Sequence, residues 1–492
     1  MEDVPADGVM RSGPISEAGP GALRNTTIVL GARVAAQLLA LVTVVLLERH
    51  LRPAGTGRFV DVVNVSALVA VIMDLGFNPL FQREGAREPT QIGRFLSNLA
   101  TARGFFALVA LAVFGVVLAF QGKAEYIVPG FFMMLLSSYS GLLRGAFYAV
   151  RRLGLEAVAI ILQALVLLSL VAWGVHQGGS VTYFLWSYAG SYLFVCGYYL
   201  VTLRASGIAR IGIALDLRFL RHWIWQGLPF ALAFLITTIY FKIDVPILDW
   251  LRGDRETGIY GAAYKPFEAL LFIPASMLNV VFPVLSVYHR DLAHRMPWAV
   301  ARFFKALLIL GWPIGIGTYM LVLGLRPIYV FSASAPALEV LSLAIVFMFV
   351  NNAFIAALTS IDRQVMFTLA ALGSMVVNLA LNLVLIPPFG YLGASWATVL
   401  TEVALGGFGW VLTARYLAPI PVWKLSWRVL LAGAVMGLGL LPFRAATGLW
   451  LLPVIAGAAA LYAGCLIAAR ALDAEEMDLL KRAWSGARRR KR

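Results

Sequence analysis

Fourteen stretches of this chain are apolar over about the twenty residues a helix needs to cross a bilayer, and this feature restricts its fold more than any other. Their approximate cores are 26–47, 60–81, 97–119, 127–147, 156–175, 181–203, 225–249, 259–282, 303–323, 336–358, 366–386, 391–412, 428–443 and 449–469, the thirteenth being the shortest. Inside hydrocarbon every backbone N–H and C=O must find a partner within the protein, which a helix provides by itself. The expected fold class is therefore all-α, a polytopic membrane protein of about fourteen transmembrane helices. Composition agrees, since 61% of the 492 residues are hydrophobic and only 13% are charged, too few to cover a soluble surface. Two cysteines, Cys196 and Cys465, both lie in apolar runs. Neither a disulfide framework nor a metal site is expected, and no cofactor.

The formal charge is +15, a value often associated with nucleic acid. Here the bases sit in short loops and in the C-terminal tail, so no nucleic-acid partner is expected. Loops after even-numbered runs, taken with Arg144, Lys305 and Arg428 at the adjoining run ends, hold eighteen Lys and Arg against eight after odd-numbered runs, which puts the even side and both termini in the cytoplasm of a plasma-membrane protein. Residues 1–23 are rich in Gly, Pro and acids without apolar periodicity and read as a disordered cytoplasmic tail. From Leu472 onward come acids, then Lys481, Arg482 and the bases from Arg488 to Arg492. That tail reads either as a short amphipathic helix on anionic lipid or as a plain positive-inside signal.

An internal repeat appears at an offset of 201 residues. Thr56-Gly57-Arg58-Phe59 corresponds to Thr257-Gly258-Ile259-Tyr260, and Phe81 to Phe282. An offset that spans six helices leaves the second copy in the orientation of the first, so the copies are parallel repeats, which place substrate at their interface. The expected organisation is a tail (1–23), an N-terminal six-helix bundle (24–203), a cytoplasmic linker (204–224), a C-terminal six-helix bundle (225–412), transmembrane helices 13 and 14 (413–470) and a basic cytoplasmic tail (471–492).

Charge inside these runs is the strongest functional signal. Burying one charged side chain at bilayer depth costs at least ~2.5–3.5 kcal/mol, so such groups face a bundle interior or a wet cavity. Lys242, Asp244, Lys265 and Glu268 fall in two consecutive runs; Arg33, Arg103, Asp74 and Glu402 are deep in others. Lys265 and Glu268 share a helix face and can neutralise each other. Lys242 and Asp244, two apart, each need a partner elsewhere. The acids Asp74, Asp244, Glu268 and Glu402 either bind Na⁺ or a proton for coupling or satisfy neighbouring bases. Prolines at 246, 266, 274, 283 and 313 act as hinges or static kinks. Asn378 and Asn382, four apart on one face, fit interhelical bridging better than sugar contact.

Several blocks of sequence carry a family resemblance. Tyr240-Phe241-Lys242-Ile243-Asp244, then Gly258-Ile259-Tyr260-Gly261-Ala262-Ala263-Tyr264-Lys265 and Phe282-Pro283, together with Asn378 to Asn382, Ile386 to Thr398 and Glu402, resemble the Wzx-type polysaccharide (O-antigen) flippases of the multidrug/oligosaccharidyl-lipid/polysaccharide exporter superfamily. Arg52 to Phe59 and Leu75-Gly76-Phe77 agree more loosely. The resemblance implies translocation of undecaprenyl-diphosphate-linked oligosaccharide across the plasma membrane by alternating access, without enzymatic activity. Its partners would be that lipid-linked oligosaccharide, membrane lipids, and a polysaccharide polymerase and glycosyltransferases. Arg33, Lys242 and Lys265, with Arg103 as a fourth, would line the diphosphate cavity. The alternatives are a lipid II flippase and a cation-coupled multidrug exporter of the same superfamily. A membrane glycosyltransferase or polymerase is disfavoured because no outer loop is long enough for a catalytic site.

Overall fold

The computed structural model describes residues 20–209 and 211–471. The expected tails, up to residue 19 and from residue 472, lie outside the described residues. All regular elements among those described are helical, as the apolar runs require. The chain forms two compact units.

Among the described residues, one unit holds 20–50 together with Val65–Leu235. Its helices are α1 (Pro20–Asp74), α2 (Phe77–Arg87), α3 (Ile92–Phe120), α4 (Ile127–Ala149), α5 (Leu153–His176), α6 (Val181–Ala205) and most of α7 (Leu217–Lys242). Helix α1 is two helices joined at Arg52, whose φ of 58° is left-handed and which precedes Pro53. A residue before proline is pushed out of the helical region, and this separates the first two apolar runs. Leu75 and Gly76 also have positive φ and end α1. A Cβ on Gly76 would lie 2.5 Å from the Gly227 carbonyl, so only glycine lets α7 seat against this turn. The core between α2, α3, α4 and α6 is built on Phe77, Phe81, Phe95, Phe147 and Tyr199. Just before α7, residues 211–216 run along α3, which holds them by side-chain bonds to their backbone. Gly212 N–H donates to Ser97 Oγ at 3.0 Å, Ala214 N–H to Thr101 Oγ1 at 3.3 Å and Asp216 N–H to Asn98 Oδ1 at 2.7 Å.

The other unit holds Leu51–Asn64, which is the middle of α1, and residues 236–471. It contains α8 (Asp244–Arg252), α9 (Asp254–Leu270), α10 (Phe272–Asp291), α11 (Met296–Met320), α12 (Arg326–Tyr329), α13 (Ala335–Ser360), α14 (Gln364–Phe389), α15 (Tyr391–Tyr416), α16 (Val422–Leu440) and α17 (Leu451–Ala468). Helix α13 packs against α11 and α15 and is the most enclosed span: 67% of its apolar window is buried, against 11% for α17. Trp312 donates to the Leu430 carbonyl at 3.1 Å and Tyr462 to that of Ile309 at 3.0 Å, which docks α16 and α17 onto α11. Without a hydrophobic drive between helices in lipid, such bonds and close packing hold the bundle.

Twelve helices are long and apolar enough to span a membrane among the described residues. The first is a broken pair, and α6 is long enough but diluted by tyrosine and serine. Counting the pair as two and adding α6 accounts for all fourteen runs. The seventh and eighth runs are each interrupted: α7 gives way to α8 at Ile243, and α9 to α10 at Leu271. Pro246 and Pro274 have no N–H to offer the carbonyls of Lys242 and Leu270, four residues back, which is where these helices part.

Candidate functional site

The break at Ile243 sets the geometry of the charged residues in the second unit. Lys242 ends α7 and Asp244 opens α8, so each charge sits at the helix end whose dipole suits it. Both side chains turn to α9. Lys242 Nζ lies 2.7 Å from Glu268 Oε1, and Lys265 Nζ lies 2.9 Å from Glu268 Oε2. One carboxylate is thus shared by two ammonium groups. With Glu268 ionised the trio carries one net positive charge, and its members are 23–32% exposed, so it is accessible. Lys265 and Glu268 do pair along the helix, yet the pairing does not neutralise the cluster, because Lys242 joins it.

Asp244 and Glu402 are buried at 4% and 3% exposure, and neither makes an ion pair among the described residues. Asp244 accepts from the Tyr260 hydroxyl and from Val245 N–H, and Tyr260 also meets Thr398 Oγ1 at 3.2 Å. Glu402 accepts from Tyr240 at 2.7 Å and from Asn351 Nδ2 at 2.8 Å. Asn382 donates to Asn378 Oδ1 at 3.1 Å, and Asn378 to Thr401 Oγ1 at 3.2 Å. A void of about 10 Å³ lies between Tyr240, Asp244, Asn378, Thr401 and Glu402, close to the least that admits one water. Two carboxylates held only by hydroxyl and amide donors can take up a proton or a small cation without breaking a salt bridge. No group of three or more His, Cys, Asp and Glu assembles a metal site among the described residues.

Between α11, α13, α15 and α16 the same unit has a partly open cavity of about 1110 Å³, lined mainly by apolar residues including Phe304, Trp312, Phe347, Trp410 and Trp423. It is larger than a typical small-molecule pocket.

In the first unit Arg33 donates to the Tyr148 hydroxyl and lies 3.9 Å from Glu156 Oε1, with its side chain 38% exposed. Tyr148 in turn donates to Glu156 at 3.1 Å. Arg103 is placed differently. Its side chain has no exposed surface and donates to Asp74, to Asn78 Oδ1 and to the Ser138 carbonyl, tying α1, α2, α3 and α4 together. Sequence reasoning missed Glu156, which sits at the edge of its apolar run, and Tyr148 and Asn351, and it took Tyr240 and Tyr260 only as parts of the resembling blocks, not as partners of carboxylates. The pair Asn351-Asn352 inside the apolar α13 was the local signal that pointed to Asn351.

The family model for polysaccharide biosynthesis proteins matches residues 22–289, more than half of the chain. The chain belongs to this family. No curated protein matches its sequence. Among solved structures, a lipid II flippase, MurJ, in an inward closed conformation superposes with a TM-score of 0.73 at 12% identity, covering 90% of this chain and 99% of the other. An inward-facing multidrug resistance MATE family transporter of the MOP superfamily gives 0.57 at 17% identity, covering 80% and 96%. These likenesses show that the chain shares its fold with a lipid II flippase and a MATE family transporter. This polysaccharide biosynthesis protein is a multi-pass membrane protein.

Proposed function

We propose that this family member translocates undecaprenyl-diphosphate-linked oligosaccharide repeat units across the plasma membrane by alternating access, with both termini cytoplasmic. The observation that carries this reading is the trio Lys242, Glu268 and Lys265, an accessible cluster with net positive charge in membrane-spanning helices. A diphosphate competes well for such a site, because it offers the two ammonium groups two negative charges where the Glu268 carboxylate offers them one. Arg33, in the first unit, is a third base, held by Tyr148 and Glu156 but still exposed. Arg103, fully buried against Asp74, positions helices and does not meet the substrate. The apolar cavity between α11, α13, α15 and α16 has the size and lining for a long hydrocarbon tail. Asp244 and Glu402 are the carboxylates that would couple transport to a proton or Na⁺.

Deleting the protein in its host would then leave lipid-linked repeat units accumulating on the inner leaflet while surface polysaccharide disappears. Normal surface polysaccharide with a loss of peptidoglycan precursors outside would instead favour lipid II as the cargo, a reading that the superposition on a lipid II flippase keeps in play. A deletion that changes only drug tolerance would reject both.

A further inference from the structure

We propose that the first unit carries a binding site for an anionic phospholipid where α3 meets the start of α7, separate from the charged residues described above. Phe105 and Phe106 of α3 and Leu220, Ile224 and Trp225 of α7 line a cavity of about 440 Å³ there, and Arg221 is the one charged residue in its lining.

Three features define the occupant. The first is that Leu217, Arg221 and Trp225 recur every four residues and so form one stripe of α7, in which the Leu and Trp are 70% and 69% exposed. Apolar, basic and indole side chains on one stripe at the beginning of a span are the composition of the headgroup boundary rather than of a helix contact. The second is unbalanced charge. Asp216 is the nearest acid in sequence and is taken by Arg94 at 2.9 Å. Arg218 and Arg221, three apart on the same helix face, make no ion pair among the described residues. Two guanidinium groups suit a lipid phosphate with no cation attached to it, as in phosphatidylglycerol, and are repelled by the choline of phosphatidylcholine. The third is that the groove is already formed. Leu215, in the segment before α7, completes its wall, and that segment is fixed to Ser97, Asn98 and Thr101 of α3, so little ordering is needed on binding.

The proposal does not depend on what the protein transports. It is tested with the full-length protein in nanodiscs containing phosphatidylglycerol or phosphatidylcholine probes with a photoreactive group on the acyl chain, followed by mapping of the adducts. The expected result is labelling of the peptides that carry Phe105, Phe106 and Trp225 by the phosphatidylglycerol probe in preference to the phosphatidylcholine probe. A base near the membrane surface adds about 1 kcal/mol of attraction to anionic lipid, so Arg218→Gln and Arg221→Gln should each lower that preference about fivefold, whereas Arg221→Lys retains it. Equal labelling by the two probes, or labelling unchanged in the double glutamine variant, overturns the proposal. So does displacement of the probe by a low mole fraction of polyprenyl diphosphate but not by excess phosphatidylglycerol, which would make the groove a substrate-loading site.

Discussion

Gly57 and Gly258 cross in reciprocal backbone contact. A Cβ on Gly57 would lie 1.7 Å from the Asp254 carbonyl oxygen, and one on Gly258 would lie 1.8 Å from that of Pro53. Both pairs, Gly57 with Gly258 and Pro53 with Asp254, are 201 residues apart, the offset of the internal repeat. The repeat is therefore present in space as a local two-fold relation between the second half of α1 and α9. Thr56 and Thr257, the preceding residues, are both fully buried. The relation is broken by charge: Arg58 pairs with Asp254 at 2.7 Å, while Ile259 stands at the equivalent position.

The clashing atoms are backbone, so no change of rotamer makes room for a methyl group. Gly57→Ala and Gly258→Ala should each lower stability by about 1–3 kcal/mol or more, as overpacking does. Gly197→Ala in α6, where nothing lies within 4 Å, should be neutral or slightly stabilising because alanine favours helix. Thermal unfolding of the purified protein followed by tryptophan fluorescence checks the contrast.

Asp216 gives a pH dependence outside the membrane spans. Its carboxylate accepts the N–H groups of Phe219 and Arg218 and pairs with Arg94, which lowers its pKa below the ordinary 3.8. A carboxyl group with a lowered folded-state pKa contributes stability in full above its unfolded value and loses it as pH falls through the folded one. Asp216→Asn should therefore melt below wild type at neutral pH, and the two should converge in acid below the ordinary aspartate range. Melting curves recorded across pH test this, and a gap that persists in acid would contradict it.

The buried pair of Arg103 and Asp74 predicts an asymmetry between single and double variants. Arg103→Leu leaves a buried carboxylate without its base, a loss of about 3–5 kcal/mol by analogy with other buried pairs. Adding Asp74→Leu should recover part of that loss, because two apolar side chains leave no charge stranded. A double-variant cycle of unfolding free energies reads the difference.

Asp244 and Glu402 should separate coupling from binding. Asp244→Asn and Glu402→Gln keep the shape of the side chains and their place among Tyr260, Tyr240 and Asn351 while removing the charge. Substrate binding should persist in both, and any acceleration of transport by an imposed proton or Na⁺ gradient should disappear. Flipping rates in proteoliposomes with and without each gradient decide it.

The span positions, the repeat and the charged residues of α7 and α9 were all legible in the sequence, because each rests on a local pattern of apolar length or on a charge inside such a run. The interruptions were partly legible. Prolines marked the breaks at Ile243 and Leu271, but nothing local announced the left-handed φ of Arg52 beyond the proline after it. The partners were not legible. Tyr240 and Glu402 are joined across 162 residues, Tyr260 and Thr398 across 138, and a tyrosine in a membrane helix looks the same whether it faces a carboxylate or lipid. The shared carboxylate of Glu268 was half visible: spacing along α9 pointed to Lys265, whereas Lys242 arrives from another helix. Arg103 and Arg33 looked alike as isolated bases, and only packing separates a fully buried bridge from an exposed group.

In the proposed function, Lys242 and Lys265 present positive charge to a lipid-linked diphosphate. This is tested most directly by reconstituting wild type, Lys242→Ala, Lys265→Ala and the double variant in proteoliposomes with a fluorescent undecaprenyl-diphosphate oligosaccharide, and measuring its exposure on the opposite leaflet. Transport in wild type, a loss of tenfold or more in each single variant and none detectable in the double variant, all at equal protein incorporation, is the predicted result. Wild-type rates in the double variant would contradict the account.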